Sequence, residues 1–179
     1  MPDANFKFHL PLDVLNNIQK SGKWCSYDNA DVGIEINRIM KRKSISEQMG
    51  MTHFNYPDKF GEWMGYAISS FKKEELKAET CLKIRKDHLS SAGKVHGGVI
   101  SGFFDFACGA AVFTTLDKGD FCSTVELKVN YLMPIDLGDE LVGKTEVVFR
   151  GRKICVVHGF IYKNKETQPT AMATATFNV

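Results

Sequence analysis

Between two stretches that alternate polar and apolar residues lies a run that is too long to be a strand. Residues 99–116 read VISGFFDFACGAAVFTTL. At roughly eighteen residues this is about three times an ordinary strand, and it reads as a buried helix. Apart from Cys108, Asp105 is its only ionisable side chain. A carboxylate taken out of water loses the hydration of its charged form, so the sequence must give it partners or use it. Asp105 is therefore the first candidate for chemistry.

The flanking segments have period two. Leu76, Ala78, Thr80, Leu82 and Ile84 alternate with Lys77, Glu79, Cys81, Lys83 and Arg85, which is a strand with one wet face. The spacing predicts another strand over 63–71, joined to it by a turn at 72–75. After a loop at 88–95 and the helix, Val125, Leu127, Val129 and Tyr131 alternate with Thr124, Glu126, Lys128 and Asn130. Strands follow over 140–149, 154–162 and 170–179, separated by the turn signals Gly138-Asp139, Arg150-Gly151-Arg152-Lys153 and 163–168. The order is two strands, one long helix, four strands. Tight hairpins make such a sheet mostly antiparallel, and one apolar helix against it gives an α+β architecture. Residues 1–60 have a different character: helical spacing at Leu12, Leu15 and Ile18, and again at Val32, Ile36, Ile39 and Met40. We read 1–60 as a helical N-terminal extension and 61–179 as one folded domain.

Composition narrows the function. A chain of 179 residues has room for one domain with a real core. A net charge of +2 gives no general case for nucleic acid. The densest basic cluster, Lys41-Arg42-Lys43, reads as the solvated end of a helix. Five cysteines without a C-x-x-C pair suit reduced thiols in a reducing compartment such as the cytoplasm, not disulfides or zinc. The opening MPDANFKFHL lacks the pattern of a secretory signal. The long apolar run carries Asp105, Gly102, Gly109 and several hydroxyls, which argues against a membrane span.

At about 100° per residue, Gly98, Ser101, Gly102, Asp105 and Gly109 fall on one stripe of the helix. Small side chains there leave room for a ligand or for close packing. Gly97 and Gly98 place bare N–H groups at a helix start, where the first amides lack intrahelical acceptors and the dipole favours negative charge. Such donors can polarise a carbonyl and hold the oxyanion formed on attack. Asp105 stands about two turns, roughly 10 Å, along the axis from Gly98. That is too far to serve a carbonyl bound at its own Gly98, so the partners come from two subunits. His96 can orient the loop or meet substrate. Other chemistries lack their patterns: there is no G-x-S-x-G elbow, P-loop or G-x-G-x-x-G, no metal-ligand spacing, and Cys155 and His158 fall on opposite faces of a strand.

Three stretches, GKVHGG (93–98), DFACGAA (105–111) and TVELKVNYLMP (124–134), with Gly138 and Gly151-Arg152 beyond them, resemble the hotdog-fold PaaI-like acyl-CoA thioesterases, the acyl-CoA thioesterase 13 type among them. The resemblance spans about residues 62–179. It implies an antiparallel sheet wrapped around one long central helix, and homodimers joined edge to edge, often as a dimer of dimers. It implies hydrolysis of an acyl-CoA thioester at a site shared between subunits. Carried over by position, Asp105 is the catalytic general base or nucleophile. Gly98, with its neighbour Gly97, is the polarising helix start, and Thr124 is the hydroxyl that positions water. Ser90 stands where many members carry Asn. Phe103, Phe104 and Phe106 are candidate walls of the acyl site, and Lys94, Arg150 and Arg152 are candidate partners of the CoA phosphates. No metal or cofactor, nucleic acid or membrane span is expected. The other reading is a hotdog module that binds acyl-CoA without cleaving it.

Overall fold

The structure, a computed structural model, describes residues 58–117 and 119–179. The helices expected in the first fifty-odd residues, and the Lys41–Lys43 cluster, lie outside the described residues. Helix α1 (Lys59–Met64) precedes β1 (Tyr66–Lys72) and β2 (Lys77–Lys83). The long helix α2 (Gly97–Phe113) follows, then β3 (Ser123–Tyr131), β4 (Glu140–Arg150), β5 (Ile154–Lys163) and β6 (Ala171–Asn178). All six strands form one sheet in the order β1-β2-β4-β5-β6-β3, and every neighbouring pair is antiparallel. The expected two strands, helix and four strands are all present.

One strand begins later than its periodicity suggested. Trp63 and Met64 belong to α1, not to β1. Asp58 caps this helix, its carboxylate accepting from the Gly61 N–H at 2.8 Å. Gly65 ends it in the left-handed conformation at φ +75°, with its N–H on the Gly61 carbonyl. A start signal and a stop signal thus override the alternation at 63–65. α1 also runs across residues 60 and 61 and leads directly into β1.

The sheet curls around α2. Phe103, Phe104, Ala107, Cys108, Ala111 and Val112 are buried completely, facing Ala78 and Leu82 of β2, Leu141 of β4, Val157 and Ile161 of β5, and Ala175 of β6 within one core. Two glycines in the central strands let the helix come close. A Cβ on Gly159 would lie 3.2 Å from both Cys108 Sγ and the Phe104 ring, and one on Gly143 would lie 3.4 Å from Phe103 and Ala107. A buried hydroxyl ties the two layers: Thr145 Oγ1 of β4 reaches the Ala107 carbonyl of α2 at 2.9 Å and the Ala78 carbonyl of β2 at 3.1 Å. Among the described residues no helix is long and apolar enough to cross a membrane.

The helix is not buried on every side. Gly97, Gly98 and Asp105 are exposed, and Ser101, Gly102 and Gly109 are half-buried. Asp105 therefore keeps its hydration, in contrast to the buried carboxylate expected from the apolar run. The reason lies in the sheet order: β1 and β3 are the two edges, and the stripe runs between them. Thr145→Val keeps the shape of the side chain and removes the hydroxyl that ties helix to sheet. It should lower unfolding stability by about 1 kcal/mol, read as a lower urea midpoint at unchanged m-value.

Candidate active site

The stripe gathers side chains from β3 around α2. Thr124, the second residue of β3, donates from Oγ1 to Asp105 Oδ1 at 2.6 Å. This is a short bond to a carboxylate, and it fixes which way the carboxylate points. Seven residues later on β3, the Tyr131 hydroxyl lies 2.6 Å from Ser101 Oγ and donates to the Gly97 carbonyl at 3.2 Å. Its ring covers Gly97, where a Cβ would stand 3.5 Å from the hydroxyl. Tyr131 and Ser101 were not among the candidate residues. Their signal was present, because Ser101 shares the stripe and Tyr131 is the polar-tipped end of an alternating strand, but only the pairing of β3 beside α2 joins them.

At the helix start, His96 is the N-cap, and its Nδ1 accepts from the Gly98 N–H at 2.9 Å. Among the described residues the Gly97 N–H has no acceptor. A half-open cavity of about 360 Å³ adjoins it, lined by Lys94, Gly97, Ile100, Tyr131, Met133 and Thr170 among others. Asp105 does not line this cavity.

The remaining candidates separate. Half-buried Ser90 shapes the loop before the helix: its Oγ and its N–H both donate to the Lys94 carbonyl, at 2.9 and 2.7 Å. Lys94 is exposed and paired with Asp136. Phe104 lies wholly inside the core against Gly159, away from the stripe. Arg152 is exposed at the β4–β5 hairpin, next to Arg150, whose Nε donates to Thr115 Oγ1 beyond the far end of α2. Lys94 and Arg152 thus stand at opposite ends of a helix roughly 25 Å long. Cys155 and His158 do face opposite sides of β5, one buried and one exposed. Burial and, after it, the Asp105 carboxylate push the Cys108 thiol up to about 12, so it is no nucleophile near neutral pH.

A buried histidine supports the loop. The His88 backbone carbonyl accepts from the His96 N–H at 2.9 Å. Its Nδ1 accepts from the Arg85 N–H at 3.2 Å, and the Trp63 ring of α1 meets it edge-on at 5.7 Å. Burial, then the Arg85 guanidinium, hold its pKa below the ordinary value of 6.5.

The Thioesterase superfamily profile matches residues 92–170. A candidate esterase of Saccharolobus solfataricus is 32% identical over 120 residues, covering 66% of this chain and 78% of that one. A shorter stretch, 39% identical over 70 residues, is shared with a candidate esterase of Caenorhabditis elegans and covers 38% of this chain and 40% of that protein. Among solved structures, a candidate thioesterase of Ralstonia eutropha JMP134, a phenylacetic acid degradation-related protein, superposes with a TM-score of 0.65 at 27% identity. That match covers 76% of this chain and all of the other. A hypothetical thioesterase protein of Streptococcus pneumoniae TIGR4, solved with coenzyme A, gives a TM-score of 0.57 at 28% identity, covering 64% and 87%.

His88 gives this region a pH signature. Its folded pKa is depressed, so the unfolded chain takes up the proton first. The stability it contributes is complete above about pH 6.5 and is lost as pH falls from there through the folded pKa. Urea melts at pH 7.5 and 5.5 should show a larger loss in the wild type than in His88→Gln. Equal losses would remove His88 as the cause.

Proposed function

The chain belongs to the thioesterase superfamily and has the hotdog fold of its PaaI-like members, and from that premise we propose that it hydrolyses an acyl-CoA thioester to the free carboxylic acid and CoA. The observation that supports this most directly is the 2.6 Å bond from Thr124 Oγ1 to Asp105 Oδ1 on the exposed stripe of α2. It leaves a hydrated carboxylate held in one orientation with its other oxygen turned to the proposed reaction.

In the proposed reaction the free oxygen of Asp105 takes a proton from water as the water oxygen attacks the thioester carbonyl. The alternative first step is attack by the carboxylate itself, giving an anhydride that water then cleaves. The carbonyl electrons collect on an oxyanion held by a helix-start amide. When they return, the C–S bond breaks, and the CoA thiolate leaves with the proton that Asp105 took up. The Gly97 amide is ready to donate. The Gly98 amide reaches substrate when His96 Nδ1 releases it. Because Asp105 lies roughly 10 Å along the axis from its own Gly98, the carbonyl bound at one helix start is attacked from the Asp105 of a second copy. A homodimer, alone or within a dimer of dimers, completes the site. The exposed edge β3, with Val125 61% and Tyr131 55% exposed, is the proposed seam. Lys94 at the cavity by Gly97 is the nearer candidate for a CoA phosphate. The relative solved with coenzyme A supports this ligand class. Reduced cysteines suit a cytoplasmic setting.

A panel of acyl-CoAs with a thiol-detecting reagent tests the reading. Asp105→Asn should lower kcat by roughly 10² to 10⁴ while the oligomer stays folded. Thr124→Val should lower kcat less, because the carboxylate remains. Full turnover by Asp105→Asn would sink the assignment. Tight acyl-CoA binding by the wild type without thiol release would make the protein a binding module instead.

A further inference from the structure

On the β1 side, the stripe is bordered by aromatic rings for which the reaction scheme has no role. Phe60 of α1 lies over Gly102 so closely that a Cβ there would stand 2.9 Å from the ring. Gly102 precedes Asp105 by one helical turn, roughly 5 Å. Phe60 is 51% exposed although its ring is seated on Gly102. Trp63 and Tyr66 lie 5.9 and 6.5 Å from it. Tyr66 in turn stacks at 3.8 Å and 11° on Phe106, the residue after Asp105. The rings therefore flank Asp105 from Gly102 to Phe106. The facing side, on β3, carries the hydroxyls of Thr124 and Tyr131. The two sides differ in chemistry: one suits water and a carbonyl, the other an apolar group.

We propose that Phe60 determines specificity by receiving the acyl chain of the thioester, so that the preferred substrates are straight-chain or arylalkyl thioesters long enough to reach its ring from Asp105. This rests on the hydrolase reading above. At about 1.2 Å per bond, the rise of an extended chain, roughly four bonds beyond the carbonyl span the turn between Asp105 and Gly102. Acetyl groups fall short of the ring, while hexanoyl and phenylacetyl groups meet it. Gly102 belongs to the same device, since any side chain there displaces Phe60.

The experiment is a chain-length ladder from acetyl to octanoyl, with phenylacetyl. The compounds are used as CoA thioesters for turnover and as uncleavable CoA thioethers for binding, on wild type, Phe60→Ala, Phe60→Leu and Gly102→Ala. Phe60→Ala should lower the hexanoyl-to-acetyl ratio of kcat/KM roughly tenfold, through KM more than kcat. Phe60→Leu keeps apolar bulk and should lower it less, and Gly102→Ala should lower it by moving the ring. An unchanged ratio in folded Phe60→Leu and Gly102→Ala overturns the proposal. So does a uniform loss along the ladder with a lower melting temperature, the mark of a packing residue. A wild type that cleaves none of the thioesters defeats the hydrolase reading, and the thioether ladder then decides the acyl subsite alone. Affinity that rises with chain length in the wild type and flattens in Phe60→Ala supports it, and flat affinity in both overturns it.

Discussion

Everything in this fold depends on how one apolar helix packs against a sheet that is curled but not closed. α2 has apolar side chains on most of its circumference, and the sheet reaches them because Gly143 and Gly159 let the central strands approach. The core is dense along that contact, with Phe103 and Phe104 fully buried. The two sheet edges stop short of each other, so one stripe of the helix stays in water. An exposed stripe of leucine or phenylalanine there would be a liability. Instead it carries glycine, serine and aspartate, and the gap that the sheet leaves is where these small and polar side chains sit.

The same helix sorts its two ionisable side chains by that geometry. Asp105 and Cys108 are three residues apart, yet one faces solvent beside the Thr124 hydroxyl and the other lies in the core. Burial costs the thiolate its hydration, which keeps Cys108 neutral. Exposure leaves the carboxylate its hydration, and the Thr124 hydrogen bond gives it direction. A hydrated carboxylate held in one orientation suits the proposed proton transfer. A helix buried all round could not supply it.

Much of the fold was legible in period and length. The alternation of β2 and of β6, Ala171, Ala173, Ala175 and Phe177, matches their buried faces, and the length of the apolar run marks α2. What the alternation missed was local or topological. The Asp58 cap and the Gly65 stop made α1 out of residues that alternate like a strand. The placement of β3 beside β6 at the far edge is set by three-dimensional closure, which no local window contains. That placement brings Thr124 to Asp105 and Tyr131 to Ser101, pairs 19 and 30 residues apart. Spacing alone found Asp105 and the glycine helix start; the resemblance to a family, not the spacing, supplied Thr124. Phe104, offered as a wall of the acyl site, lies in the core, because its side chain points about 100° round the helix from that of Asp105.

One strand edge joins these observations. Among the described residues β3 pairs only with β6, which leaves its outer N–H and C=O groups without strand partners. An edge of this length that exposes Val125 and Tyr131 is a template for another strand, and natural sheets protect such edges or use them. The proposed reaction adds a second demand, since the helix start and Asp105 of one chain stand roughly 10 Å apart along the axis. A twofold pairing along β3 would answer both: it would cover the open edge, and it would bring a second set of β3 hydroxyls to the stripe that the first sheet leaves open. The open sheet edge and the proposed shared site would then have one remedy, a second copy of the chain.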